Sequence, residues 1–198
     1  MSFQPESVTF HLPEWVEPYC RAYCRSEDIG ARMAYVIGAT ARNVEMETGG
    51  PFAAAIFEID SGELLSLGVN SVYSQGLSML HAEMVAITLA QRKLGVHDLS
   101  AEGLPALELV TSTEPCAMCF GAIPWSGVRR VVTGADSQDA RDIGFDEGPK
   151  PENWVETLEQ RGIRVIRAQQ RVAARTILQA YAERGGLIYN PGAGNPGR

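Results

Sequence analysis

The chain of 198 residues has only three histidines, four cysteines and no excess of positive charge. Its 17 Lys and Arg are outnumbered by 24 Asp and Glu, for a net charge of −7. An acidic surface repels phosphate backbones, so a nucleic-acid partner is not expected and a small neutral substrate is. No apolar run approaches the roughly 20 residues a helix needs to cross a bilayer, so no membrane partner is expected. The opening MSFQPESVTF lacks the basic start and apolar stretch of a signal peptide. These absences point to a soluble, cytoplasmic protein, where structural disulfides are rare. The few cysteines are then left with metal binding, redox chemistry or packing. There is no internal repeat, and only the Gly/Pro-rich end, NPGAGNPGR, reads as loose.

What is present is an alternation of helix and strand patterns. Pro18 to Cys24 is a short helical candidate, and Ser26 reads as the cap of a longer helix with Glu27 and Asp28 in its first turn. That helix carries Ile29, Met33, Val36, Ile37, Ala41 and Val44 at helical spacing, with Gly49 as a stop. FAAAIFEI (52–59) and ELLSLGV (63–69) flank Asp60-Ser61-Gly62 and predict a hairpin. Residues 81–95, HAEMVAITLAQRKLG, predict a buried helix. Strands are expected over 106–112, 128–135 and 163–168, and helices over 116–123, 151–160 and 172–184. Between them lies a loop or short helix containing GFDEG (144–148). A hairpin followed by alternating strands and helices predicts an α/β fold, a three-layer α/β/α sandwich around a mixed five-stranded sheet. The whole chain, 1–198, is expected to form one domain, with an N-terminal helical extension (about 1–25) and a flexible C-terminal tail (about 187–198).

The chemistry concentrates in STEPCAMCFGAIPWSG, residues 112–127. Cys116 and Cys119 are three apart, so on a helix they share a face, and Pro115 suits the helix start. Free N–H groups and the dipole at a helix N-terminus favour the thiolates that a metal requires. Of the three histidines, His81 opens a buried helix and stands two residues before Glu83, whereas His11 and His97 lie in an extension and a loop. His81 and Glu83 converge only on a site beyond the helix end. Three protein ligands, His81, Cys116 and Cys119, leave the fourth position of a tetrahedral zinc for water, which marks a catalytic site. Glu83 is then a carboxylate that does not bind the metal and is free to carry a proton. H-x-E followed by P-C-x-x-C is a zinc-deaminase signature. A redox pair would leave His81 and Glu83 unexplained, and a purely structural zinc would not call for the open position. Cys20 and Cys24, with no acid or histidine at ligand spacing, read as packing residues.

At these residues the chain resembles the cytidine deaminase-like superfamily, over about Gly49 to Gly148. GGPFAAAI, GVNS, HAEMVAI and EPCAMCFGAI fall in the order shown by its bacterial guanine deaminase and tRNA adenosine deaminase branch, and DARDIGFDEG (139–148) is similar to guanine deaminases. The resemblance implies a zinc-dependent hydrolase of cyclic C–N bonds, with one Zn2+ and a bound water per chain. The implied reaction is deamination of a free nucleobase, guanine to xanthine and ammonia, or of a heterocycle with the same amino–amide edge such as an aminotriazine. The alternatives it leaves are a tRNA adenosine deaminase or a cytosine/cytidine-type deaminase.

The same resemblance matches Glu147 to a second proton-carrying acid, in place of a solvated acidic loop. It matches Asn70 to a base-binding amide rather than a turn residue, and Phe52 to a stacking ring. It sets Ala82 and Trp125 in the substrate pocket, where packing is the alternative for Phe52 and Trp125. It further implies a homodimer and a C-terminal segment, with Tyr189 as the candidate, over the site.

Overall fold

The structure, a computed structural model, describes residues 4–190; the expected loose end from 191 onward lies outside the described residues. Thirteen elements follow one another: α1 (Val16–Arg21), α2 (Ile29–Glu45), β1 (Ala53–Glu58), β2 (Leu64–Val69), α3 (Val72–Gln75), α4 (Ala82–Leu94), β3 (Leu107–Thr113), α5 (Ala117–Ser126), β4 (Arg130–Ala135), α6 (Ser137–Asp142), α7 (Trp154–Glu159), β5 (Arg164–Ile166) and α8 (Arg171–Glu183). The strands form one mixed sheet in the order β2-β1-β3-β4-β5. β1 runs antiparallel to β2 and β3, and β3, β4 and β5 are mutually parallel. The expected α/β/α sandwich with five strands is the fold observed.

Strand alternation sorts the core into two layers. Ala53, Ala55, Phe57, Val110 and Val132 face α2 and α8, where they meet Met33, Val36 and Leu178. Ala54, Ile56, Leu109 and Val131 face the opposite way, toward α4, α5 and α7. Gly68 in β2 lets α4 approach, because a Cβ there would lie 2.2 Å from Ala82 O and 2.5 Å from Ala86 N.

Several boundaries differ from the sequence reading. Asp28, not Ser26, caps α2, because its carboxylate accepts from Gly30 N and Ala31 N while the Ser26 hydroxyl accepts from Asp28 N. α1 begins two residues early and stops at Arg21, so Cys24 is exposed beyond it rather than packed, while Cys20 is half-buried against the core. α7 starts only at Trp154, after a turn in which Trp154 N donates to Pro151 O. β5 is three residues long, because Ala168 takes a left-handed φ of 61° and turns the chain out of the sheet. α3 and α6 were not expected; α6 is set by a capping box between Asp136 and Asp139.

The residue of β3 that breaks its apolar run, Glu108, lies on the α2 side and is fully buried. Arg32 Nη1, 3.0 Å from Glu108 Oε1, gives its two protons to Glu58 O and Ile59 O. Arg130 Nε donates to Glu108 Oε2 at 2.5 Å. Removing the carboxylate would leave the buried Arg32 charge uncompensated. Glu108→Ala is expected to cost about 3 kcal/mol in denaturant unfolding. A loss no larger than the about 0–1 kcal/mol of an exposed pair would show that this pair does not tie α2 to the sheet.

Candidate active site

One edge of the sheet collects the start of β1 and the ends of β2, β3 and β4, the carboxyl-end position where α/β sheets carry their sites. Phe52 precedes β1 and Asn70 follows β2; Asn70 N donates to Phe52 O at 3.0 Å. Gly49 allows this closure, since a Cβ there would fall 1.8 Å from Asn70 O. The buried Asn43 of α2 fastens the same turn, donating through Nδ2 to Gly50 O and Asn70 O.

Two helices start at this edge with the expected chemistry. His81 is the N-cap of α4, with Glu83 in its first turn, and Cys116 is the N-cap of α5, with Cys119 in its first turn. One ligand atom from each of His81, Cys116 and Cys119 lies within 4.8 Å of the others. Cys116 Sγ is 3.4 Å from His81 Nδ1, against about 3.5 Å for an edge of a tetrahedral zinc site with its usual Zn–N and Zn–S bond lengths. A hydrogen bond from Cys119 holds the Cys116 thiol down to about 4, and that bond together with burial pushes Cys119 up. The two sulfurs thus share one proton, which a soft divalent cation would displace. One imidazole and two sulfurs at these distances fit zinc. His11 and His97 are not in the cluster, and neither are Cys20 and Cys24.

The cluster opens into a cavity of about 870 Å³ lined by Phe52, Asn70, Glu83 and Glu147 among others. Glu83 and Glu147 are each 6% exposed. Burial raises the Glu83 carboxyl, and the negative charge of Cys116 adds to it. Burial first, then Cys116, pushes Glu147 up to about 7, with Lys150 opposing. Glu147 Oε2 has no hydrogen-bond partner among the described residues. Phe52 meets Phe145 edge to face at 4.9 Å between centroids.

Two residues expected in the substrate pocket do not line this cavity. Trp125 is 84% exposed and away from the cavity. It lies six residues after Cys119, about 240° round the helix, so it points outward when the sulfur points in. Ala82 places its methyl in the core under the sheet and does not line the cavity.

The C-terminal segment, expected to be flexible from about residue 187, folds back on the site as far as Asn190. Asn70 Nδ2 donates to the Tyr189 hydroxyl at 2.6 Å, and Tyr189 and Ile188 line the cavity. Asn190 accepts from Asp146 N and donates to Gly144 O, tying the loop that carries Glu147. Sequence reading missed Asn43, Phe145 and Asn190. Phe145 sits inside the quoted GFDEG and was the one with a local signal; Asn190 was hidden in a stretch that reads as a tail.

The guanine deaminase of Bacillus subtilis (strain 168) is 38% identical over 99 residues, covering 50% of this chain and 59% of that enzyme. The chain thus spans little more than half the length of that curated relative. The solved structure of a guanine deaminase from Nitrosomonas europaea superposes with a TM-score of 0.87 at 47% identity, over 92% of this chain and 100% of that one. A structure of NE0047 in complex with 2,6-diaminopurine gives 0.88 at 49% identity, over 93% and 97%. A tRNA:A34 deaminase, at 20% identity and a TM-score of 0.57, shares the fold. With residues 27–135 matched, more than half of its length, the chain belongs to the family of the cytidine and deoxycytidylate deaminase zinc-binding region.

Proposed function

We propose that the chain catalyses hydrolytic deamination of guanine, in which guanine and one water give xanthine and ammonia. The observation that carries this reading is the pair of buried carboxyls, Glu83 and Glu147, facing one cavity with the His81–Cys116–Cys119 cluster while belonging to neither end of it. His81, Cys116 and Cys119 would hold a zinc, which would supply a water activated to a pKa of about 7 as the nucleophile. Glu83 accepts the proton of the attacking water as its oxygen bonds to C2, and delivers that proton to the adjacent ring nitrogen. Glu147, held near 7 and protonated, gives its proton to the amine as the C2–N bond breaks, while the C2 hydroxyl passes its remaining proton to Glu83 and becomes the xanthine carbonyl. Asn70 both donates and accepts, which suits an amino–carbonyl edge, and Phe52 offers a ring face to the base. Asn70 Nδ2, the donor this reading offers to a substrate oxygen, here donates to the Tyr189 hydroxyl.

Among the described residues the cavity wall contains Glu83, Glu114, Asp146 and Glu147 and no Lys or Arg. This favours a neutral base over an anticodon loop, whose phosphates need cations. The test is ammonia release from a panel of guanine, adenine, cytosine, their nucleosides, an aminotriazine and a tRNA. Guanine is expected to be the best substrate; turnover of the tRNA alone would overturn the reading.

We read the chain as one deaminase domain acting in cytoplasmic purine catabolism and assembling as a homodimer. No helix among the described residues is long and apolar enough to cross a membrane. Support for the dimer is α5, which has no charged residue and leaves Trp125 exposed. Light scattering at the monomer mass would refute it.

A further inference from the structure

Lys150 is 4% exposed in its side chain, a costly place for an ammonium unless every proton is satisfied. Its Nζ donates to Pro115 O at 2.9 Å and to Ser137 Oγ at 2.5 Å, and lies 3.5 Å from Glu114 Oε2. Three acceptors meet three protons. The ammonium also lies 4.7 Å from the centre of the Trp154 ring. Glu114 does not need this cation for neutrality, since Arg167 already donates to its Oε1 at 2.7 Å. What Lys150 adds is attachment: it joins the loop after α6 to the turn that delivers Cys116 and to the start of α6.

The linkage from Lys150 back to Glu147 is short and stiff. Gly148 has a φ of 66° and donates its N–H to Asp146 Oδ1, Pro149 has its φ locked by the ring, and Lys150 N donates to Gly148 O. On the other side of Gly148, Glu147 O accepts from Ala117 N at 2.8 Å. The rest of this loop is held by Asn190, from the C-terminal segment.

We propose that Lys150 is a positioning residue, stapling the loop that carries Glu147 to the Pro115–Cys116 turn and so fixing the distance from that carboxyl to the metal cluster. This rests on the deaminase reading above, with Glu147 as the acid that serves the departing amine. Lys150 touches no substrate; it acts through Glu147.

The test is a double-mutant cycle. Lys150→Met keeps the stem over Trp154 and removes the charge. In the wild-type background kcat for guanine is expected to fall about tenfold with KM changed less than about threefold and zinc still at one per chain. In a Glu147→Gln background the same substitution should change kcat by less than about threefold, because the group it positions is already disabled. Ser137→Ala, which removes one acceptor and leaves the buried charge paired, should lower kcat in the same pattern by about threefold. Independently of turnover, amide hydrogen exchange at residues 144–148 should accelerate at least about tenfold in Lys150→Met. Equal losses of kcat in both backgrounds, or unchanged exchange in the loop, would overturn the proposal alone. A wild-type rate for Glu147→Gln by itself would overturn the role of Glu147 and this proposal with it.

Discussion

Glu83→Gln is expected to lower kcat for deamination by about 10³-fold while the purified protein keeps one zinc per chain and its thermal stability. Glutamine preserves the shape and hydrogen-bonding reach of the side chain but cannot carry a proton between water and base. Glu83 stands in the first turn of α4, 6% exposed, two residues beyond a metal-cluster histidine and outside the cluster itself. Its carboxyl is raised above the ordinary carboxylate range by burial and then by the Cys116 charge. Steady-state kinetics on guanine with a parallel zinc assay checks this. Near-normal ammonia release from a zinc-loaded Glu83→Gln protein would transfer the proton-carrying role elsewhere and sink the mechanism given above.

Cys119→Ala has a different expected signature: metal and activity disappear together. Cys119 is fully buried in the first turn of α5 and is one of three available donors. Losing an outer hydrogen-bond partner of a zinc site costs about 10–100-fold in affinity, and loss of a direct donor should exceed that. Zinc content well below one per chain is therefore expected, and added zinc should not restore turnover. In the wild-type protein, by contrast, a chelator should abolish activity and zinc should return it. A Cys119→Ala protein that retained both zinc and turnover would show that the donor set has been misassigned. The two variants separate the two halves of the site: one keeps the ion and loses proton transfer, the other loses the ion.

Much of the site was legible because its chemistry is local. Pro115-Cys116-Ala117-Met118-Cys119 and His81-Ala82-Glu83 each sit at a helix start. A helix start sets the relative directions of its first few side chains without help from the rest of the fold. Both motifs, the hairpin and the parallel strands were readable from residue spacing and turn chemistry. The buried Arg32–Glu108 pair was not, since a lone glutamate in a strand reads as an outward-facing residue until α2 is seen to cover that face.

The amino-acid order alone therefore determined the His81–Cys116–Cys119 cluster, the buried Glu83 beside it and the alternation that makes a mixed sheet, all of which depend on neighbours a few positions away. Only the tertiary structure decided that Trp125 faces outward, that Tyr189 reaches Asn70 across 119 positions, and that Lys150 is buried against Pro115 across 35. The physical reason is range. Helical and strand periods set directions within an element, whereas a contact between distant segments exists only once packing has fixed where each element lies.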